Sequence, residues 1–253
     1  MLFKSIKYLI LILIFAPLVV NAMTAEEIIN KAKSVMNQDT SKSRSKMIIV
    51  TDKGKERIFI SDSFSKNKGE KNLIIYVEPS RVKGQAVLML NNADDIWTYF
   101  PNTGRVRKMA THAKKRKMQG SDFSYEDMGS GDGFLEIFNA KRLDDEQKDG
   151  YDCYKLELTK KKDKDTSYSK VMLWIIKSNY LPVFIQYFDE KSPTLLLKEL
   201  TLSDIKTIQG IPTPMKMKME NKLDNSKTEM ETISIEYGVE LSDNMFTEKG
   251  LKK

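Results

Sequence analysis

The chain has almost none of the side chains that bind transition metals or act as thiol or imidazole catalysts. Among 253 residues it has one His and one Cys, His112 and Cys153. A zinc site built from imidazole and thiolate groups would lack ligands, and a single Cys excludes an intramolecular disulfide. Cys153 lies in a strand-like stretch, and we expect it to be a buried small hydrophobic residue.

Motifs of the common enzyme classes are also absent. No Gly-x-Ser-x-Gly elbow accompanies His112, and the chain has neither a phosphate loop nor a dinucleotide fingerprint. The adjacent acids Glu126 and Asp127 leave a hydrolase with paired carboxylates as an alternative, although such acids more often cap a helix or tether a segment. We therefore expect no enzymatic activity, no cofactor and no bound metal.

What remains is the composition of a globular protein. Hydrophobic residues make up 40% of the chain and charged residues 30%, which disfavours disordered, collagen-like and coiled-coil classes. Lys and Arg total 42 against 35 Asp and Glu, so the formal net charge is +7. No Pro-rich or Ser-rich linker and no repeat divides the chain, so we predict one domain over residues 23–253.

The N-terminus has the pattern of a secretory signal peptide. Two lysines precede an apolar run over residues 8–20, which is shorter than the roughly 20 residues of a membrane span. Val20 and Ala22 are small residues at positions −3 and −1 of a cut before Met23. We predict a signal peptide over residues 1–22, cleaved near Ala22, and a periplasmic mature protein; an uncleaved anchor is the alternative.

The period of the apolar residues changes after the first forty positions. Thr24 and Glu27 match a capping box at the start of a helix predicted over residues 25–37. Short runs rich in β-branched and aromatic residues follow, separated by turn residues, which indicates antiparallel strands rather than a parallel βαβ fold. The predicted strands span residues 47–51, 57–64, 73–77, 86–90, 96–100, 105–109, 153–159, 169–176, 181–188, 195–202, 213–220 and 228–237.

The two faces of these strands differ in a regular way. Met215, Met217 and Met219 alternate with charged residues, as in an antiparallel sheet with one wet face. Residues 171–176 and 183–188 are apolar on both faces and must be covered on both sides. The chain has 14 Met, whose flexible side chains suit a cavity for an acyl chain; ordinary core packing is the alternative interpretation.

A basic stretch carries seven positive charges within residues 105–117 and no acid. We predict that it docks to anionic lipid headgroups or to an acidic protein partner, with a solvated loop as the alternative. Nucleic acid is not an expected partner of an exported protein. The basic residues are Arg105, Arg107, Lys108, Lys114, Lys115, Arg116 and Lys117.

Two segments in the middle of the chain carry a resemblance to a known family. Residues 96–101 read Ile-Trp-Thr-Tyr-Phe-Pro and precede a Gly-Arg-Val-Arg turn exit, and residues 120–128 read Gly-Ser-Asp-Phe-Ser-Tyr-Glu-Asp-Met. Further matches extend to Met-Phe-Thr at 245–247. Over nearly the whole mature chain, this pattern resembles the outer-membrane lipoprotein-sorting proteins, which are relatives of the carrier LolA.

The resemblance implies both a fold and a function. The fold is mainly β with a few helices, a single-domain unclosed antiparallel half-barrel with helices plugging its concave face. The function is that of a non-catalytic carrier, which holds acyl chains of a lipoprotein or lipid in the hydrophobic cavity for transfer toward the outer membrane. The alternatives are a periplasmic accessory protein or adaptor of a lipid-exporting transporter, and an adaptor whose interior is packed core.

The resemblance also implies partners and a site. The expected partners are acylated lipoprotein or phospholipid cargo, an inner-membrane transporter and an outer-membrane acceptor, with the carrier a monomer. We predict that the Trp97 face of its strand lines the cavity, because an amphipathic ring suits a wet cavity mouth. The predicted lipid-binding residues are Trp97, Tyr99, Phe123, Tyr125, Trp174, Phe184, Met215, Met217 and Met219.

Overall fold

The computed structural model of the protein describes residues 22–129 and 134–252. The predicted signal peptide lies outside the described residues, except for its last residue. Three helices span α1 Ala25–Met36, α2 Tyr125–Gly129 and α3 Phe134–Ile137. The strands are β1 Thr40–Val50, β2 Glu56–Lys66, β3 Lys71–Glu78, β4 Ala86–Leu90, β5 Asp95–Phe100, β6 Arg105–Lys108, β7 Phe138–Arg142, β8 Glu146–Lys148, β9 Tyr151–Lys160, β10 Tyr168–Ile176, β11 Pro182–Asp189, β12 Leu196–Ile208, β13 Ile211–Asn221 and β14 Ser226–Tyr237.

These strands form one antiparallel sheet that does not close. Its order is β6-β5-β4-β3-β2-β1-β14-β13-β12-β11-β10-β9-β7, and β8 pairs with β9 beside β7. Two meanders, β1–β6 and β9–β14, are therefore joined by the pairing of β1 with β14. This architecture confirms the predicted half-barrel. We call the face that carries α1 and the segment 116–129 the inner face, and the opposite face the outer face.

Helix α1 forms as its sequence predicts. The Thr24 side chain accepts from the Glu27 amide at 3.2 Å, and the Glu27 carboxylate accepts from the Thr24 amide at 2.8 Å, which completes the capping box. Both bonds satisfy amides that a helix start leaves without an intrahelical partner. Ile28 and Ile29 are buried on the apolar side of α1, so this side anchors the helix to the sheet.

The inner face carries two neighbouring apolar clusters. The first joins α1 to the β9–β13 half of the sheet, where Leu156, Leu158 and Val171 are fully buried. The second lies on β1–β5 and includes Met47 and Phe59. Met128 and Met230 pack against both clusters, so the core continues from one meander to the other.

The outer face is covered at two places. Trp174 and its neighbours on β10 and β11 form one cluster, and the Trp174 indole donates to Glu146 of β8 at 2.5 Å. A second cluster on β3–β6 packs under Phe246 and Leu251 of the C-terminal segment. Strand β10 is therefore buried on both faces, as its doubly apolar sequence requires.

The structure extends the sequence-based assignment in three places. Strands β7 and β8 were not predicted, because their short, charged sequences carry little alternation. Strand β1 begins at Thr40, seven residues before the predicted start, since its first half is polar on both faces. Cys153 is fully buried, as predicted, and burial raises the pKa of its thiol.

Candidate functional site

An apolar pocket of about 300 Å3 lies on the inner face between α1 and strands β10–β13. Its floor comes from alternate residues of neighbouring strands, since the antiparallel register places Leu173 opposite Ile185 and Ile185 opposite Leu200. Side chains two residues apart on a strand share a face, and this spacing builds a continuous apolar floor. The apolar lining residues are Ile29, Ala32, Met36, Phe123, Met128, Leu173, Ile175, Pro182, Ile185, Leu200, Leu202 and Met217.

The pocket has a buried end and an open end. Phe123, Leu173 and Leu202 in its floor are almost completely buried. At the other end Met36 of α1 is 40% exposed, and polar side chains join the lining. These polar residues are Lys33, Asn37, Ser65 and Asn72; the buried Asp127 carboxylate, paired with Lys198, and the buried Tyr187 also line the pocket. The arrangement matches an amphipathic ligand that enters tail first and keeps its polar end in water.

The segment 120–128 closes the buried end, and β14 holds its first half. The Asp122 carboxylate accepts from the Ser226 hydroxyl at 2.6 Å and from the Thr228 hydroxyl at 2.8 Å, and the Asp122 amide donates to Thr228 at 2.9 Å. Ser121 hydrogen-bonds to the backbone of Phe123. These bonds fix the phenyl ring of Phe123 in the first inner cluster.

A buried ion pair holds the second half of this segment. The Asp127 carboxylate lies 2.5 Å from the ammonium of Lys198 on β12, and their side chains are 2% and 9% exposed. Asp127 also accepts from the Tyr168 hydroxyl at 2.6 Å and from the Ser124 amide at 2.7 Å. Burial and the neighbouring Asp127 charge raise the pKa of Tyr168 well above its usual value, so this phenol stays a hydrogen-bond donor.

Glu126, the other acid of the pair, also binds within the protein. It accepts from the Ser167 hydroxyl at 2.7 Å and from the Ser167 amide at 3.1 Å. Glu126 and Asp127 thus connect α2 to the strand β10 region and to β12. The arrangement matches the tethering interpretation of this acid pair.

The inner face of β1 and β2 is lined differently. Ser41, Ser43 and Ser45 lie opposite Ser65, Ser63 and Ser61 in the antiparallel register. Alternation places all six on the same face as the buried Met47 and Phe59, and Ser65 lines the pocket mouth. Within the described part of the chain, no side-chain hydrogen bond joins these hydroxyls to the protein. We call these six residues the serine patch.

The structure brings five of the predicted lipid-binding residues to the inner face. Phe123 and Met217 line the pocket. Met219 is buried beside it in the first inner cluster, and Met215 follows the same alternation on β13. Tyr125 lies in the second inner cluster, where burial raises its pKa.

The structure does not bring the other four predicted residues to the pocket. Trp97 and Tyr99 pack on the outer face under the C-terminal segment, whereas Ile96 of the same strand lies in the second inner cluster. Trp174 and Phe184 pack edge to face on the outer face, with ring centroids 5.2 Å apart. The rings of Trp97 and Tyr99 pack against Phe246 and its neighbours, because this segment covers the outer face there.

Several pocket residues were absent from the sequence-based set. Ala32 belongs to the apolar face of α1, and Leu200 and Leu202 alternate on β12. Amphipathic periodicity marks all three as inward-facing. That signal does not distinguish cavity lining from ordinary core, because the distinction depends on the space left between α1 and the sheet.

The basic stretch separates into paired and unpaired residues. In the described ranges, no ion pair involves Arg105, Arg107 or Arg116, and all three are exposed. Arg105 and Arg107 lie on β6, the edge strand of the sheet. The lysines bind acids of the protein: Lys108 binds Asp95, Lys114 binds Asp94, Lys115 binds Asp165 and Glu190, and Lys117 binds Asp122 and Asp224.

The described residues form neither a metal-binding cluster nor a membrane-spanning helix. In residues 22–129 and 134–252, no three His, Cys, Asp or Glu side chains are arranged to hold a metal ion. In the same ranges, no helix has the length and apolar character needed to cross a membrane.

Comparison with solved structures finds the same fold in bacterial proteins. A domain assigned to outer-membrane lipoprotein sorting from Vibrio parahaemolyticus is 28% identical, with a TM-score of 0.80 and coverage of 90% of this chain and 97% of that chain. A DUF1329 family protein from Desulfovibrio piger is 30% identical, with a TM-score of 0.82 and the same coverage. A LolA superfamily protein from Nitrosomonas europaea is 24% identical, with a TM-score of 0.74 and coverage of 89% of this chain and 98% of that chain.

At the sequence level, a family model matches most of the chain. This model, described as "-like: Uncharacterized protein", matches residues 68–253, which include the β3–β14 region and the 120–128 segment. The curated proteins contain no match to this chain.

Proposed function

We propose that this chain, which belongs to the DUF1329 family and shares the fold of a lipoprotein-sorting domain and of a LolA superfamily protein, is a non-catalytic periplasmic carrier. In this role it holds acyl chains of a lipoprotein or lipid in the inner-face pocket and carries them toward the outer membrane. The observation that supports this function is the apolar pocket, which is buried at one end and polar at the other.

The physical basis of binding is the burial of acyl methylene groups. Each methylene transferred from water to an apolar site stabilises the complex by about 0.8 kcal/mol. Buried Leu173 and Leu202 supply an apolar floor, and Lys33 and Asn37 at the mouth keep the polar end of a lipid solvated. Such binding makes and breaks no covalent bond. This agrees with the roles of Glu126 and Asp127, whose carboxylates bind groups of the protein itself.

Native mass spectrometry tests the proposal directly. The full chain, with its N-terminal segment, is expressed in a bacterium with two membranes, and the protein is purified from the periplasmic extract without detergent. We expect a bound mass that organic extraction identifies as an acylated species. A protein that is absent from the periplasm, or that carries and takes up no acylated molecule, would contradict the carrier function.

The exposed arginines of β6 support a second role, docking to a membrane or transporter as an accessory protein. Within the described chain Arg105 and Arg107 form no ion pair and lie at a sheet edge, whereas Lys115 binds Asp165 at 2.6 Å. The Arg107 guanidinium lies 5.8 Å from the centroid of the Phe100 ring. Free guanidinium groups can bind phosphate headgroups or carboxylates bidentately. The docking surface is therefore narrower than the whole basic stretch.

Charge reversal tests this docking surface. The double variant R105E/R107E should lose binding to phosphatidylglycerol vesicles, measured by sedimentation at low salt, and keep the unfolding midpoint of the wild type. The matched control K53E/K55E changes the net charge by the same amount in an exposed turn. Its binding to the vesicles should fall much less than that of R105E/R107E. Equal loss of binding in both variants would show that net charge alone governs association.

A further inference from the structure

We infer that the pocket takes one acyl chain at a time and buries about ten of its carbons. A water molecule occupies about 30 Å3 in the liquid, and a methylene group is of similar size. The inference rests on the proposed carrier function and adds the number and length of the chains. The volume is about 300 Å3, which is room for about ten such groups. Suitable ligands are fatty acids, lysolipids and larger lipids that present a single chain.

The walls of the pocket are held in place by bonds that do not involve a ligand. At the buried end, Asp122 binds β14 and Asp127 binds Lys198, so Phe123 between them is fixed. On the open side, the buried Ile28 and Ile29 anchor α1 to the sheet, and the capping box stabilises its first turn. A second chain in the same pocket would have to displace one of these anchored elements.

The surface beside the mouth is unsuited to a second chain. The serine patch occupies the neighbouring inner face of β1 and β2, and Ser65 and Asn72 mark where it meets the pocket. Methylene groups lying over these hydroxyls would remove them from water without offering a hydrogen-bond partner, which is unfavourable. The apolar surface available to a chain therefore ends at the pocket mouth.

The test measures affinity as a function of chain length for straight-chain fatty acids from six to sixteen carbons. Each added carbon should tighten binding by about fourfold until the pocket is full. We expect this increase to stop near ten carbons, with one ligand per protein by native mass spectrometry. A continued increase to sixteen carbons, or two bound chains, would overturn the inference while leaving the carrier function intact.

Variants that change the volume of the pocket should move this break point in opposite directions. Ala32→Leu adds three carbons from the face of α1 and should shorten the preferred chain by about three carbons. Leu202→Ala removes three carbons from the floor and should lengthen it equally. The matched control is Leu156→Ala, the same change in the same buried cluster outside the pocket lining, and it should leave the break point unchanged.

The outcomes separate the inference from the proposed function. A break that shifts with Ala32→Leu and Leu202→Ala but not with Leu156→Ala supports a single chain in this pocket. If none of the three substitutions moves the break, the acyl chain binds elsewhere on the protein and the inference is overturned. Absence of binding at every chain length, in the wild-type protein, would contradict the carrier function itself.

Discussion

Two regions of the inner face belong to one sheet but are lined by opposite kinds of side chain. On β9–β13 the inward positions are large and apolar, and α1 covers them. On the first part of β1 and the last part of β2 the inward positions are the serine patch, which is partly exposed. The difference shows that strand alternation decides which way a residue points, whereas side-chain size and a covering element decide whether the space is filled.

The largest expected effect comes from breaking the ion pair that fixes the 120–128 segment to the apolar region. Lys198→Leu leaves the Asp127 carboxylate buried without its cation and should lower the free energy of unfolding by about 3–5 kcal/mol. Urea denaturation measures this change. The 120–128 segment should then be less firmly held to β12, and the apolar region should lose part of its greater stability relative to the serine patch.

Two further variants distinguish a buried pair from an exposed one. The double variant D127N/K198L removes both charges and should recover a large part of the lost stability. The control Lys216→Gln breaks an exposed pair with Glu231 and should cost less than about 1 kcal/mol. A cost this small for Lys198→Leu would mean that the pair contributes no more than a surface pair.

The next prediction compares equivalent truncations in the two regions. Leu158→Ala leaves a cavity in the first inner cluster, where Leu158 is completely buried, and should cost about 2–5 kcal/mol. Ser43→Ala removes only a hydroxyl from the serine patch and should change stability by less than about 0.5 kcal/mol. Similar losses in both variants, measured by urea denaturation, would contradict the contrast between the regions.

The contrast also explains which features could be predicted from the sequence. Helix α1 was predictable because Thr24 and Glu27 cap a regular apolar period, and most strands were predictable from alternation. Seven residues at the start of β1 were missed because Ser41, Ser43 and Ser45 occupy inward positions that the pattern requires to be apolar. Alternation in the local sequence predicts a strand only where the inward-facing residues of that strand are hydrophobic.

The candidate site was predictable in part for a related reason. Phe123 and Met217 were identified correctly as inner-face residues, since they belong to the 120–128 motif and to an alternating strand. Trp97 and Trp174 point outward, and their orientation follows from long-range covering by the C-terminal segment and by β8. Both strands carry apolar residues on each face, so their alternation gives no sign of which face meets α1.

A smaller effect is expected from making the serine patch resemble the apolar region. Ser43 and Ser63 are cross-strand partners, and S43V/S63V replaces both with a residue of high strand propensity. We expect a gain of about 0.5–1 kcal/mol in the free energy of unfolding. The outward-facing Ser234→Val on β14 serves as the control for propensity alone.

The same double variant also sharpens the boundary of the pocket. Val at positions 43 and 63 would extend the apolar surface beyond the pocket lining, so the break in affinity near ten carbons should move to longer chains. If the break moves to longer chains in S43V/S63V, the hydroxyls set the limit of the apolar surface. If it stays, the pocket walls set the limit.

The smallest expected effect concerns an ion-pair cluster that links the two meanders across the open side of the sheet. Glu190 follows β11 and binds Lys160 of β9 at 2.6 Å and Lys115 of the 111–115 turn at 3.2 Å. The hydrogen bond from Lys160, with that from Lys115, lowers the pKa of Glu190. A carboxyl with a lowered folded pKa contributes stability above its unfolded pKa, about 4.3, and loses it as the pH falls through the folded value.

Glu190 is about one-third exposed, so water screens this cluster and we expect its contribution to be less than about 1 kcal/mol. Urea denaturation of wild type and Glu190→Gln, at neutral pH and at successively lower pH, isolates the effect. The wild type should be more stable near neutrality, and the difference should shrink as the pH falls below about 4.3 and vanish once the pH is below the lowered pKa of Glu190 in the folded state. A difference that is independent of pH would show that the Glu190 side chain acts through packing, and the two meanders would then be held together by the sheet and the tethered segment alone.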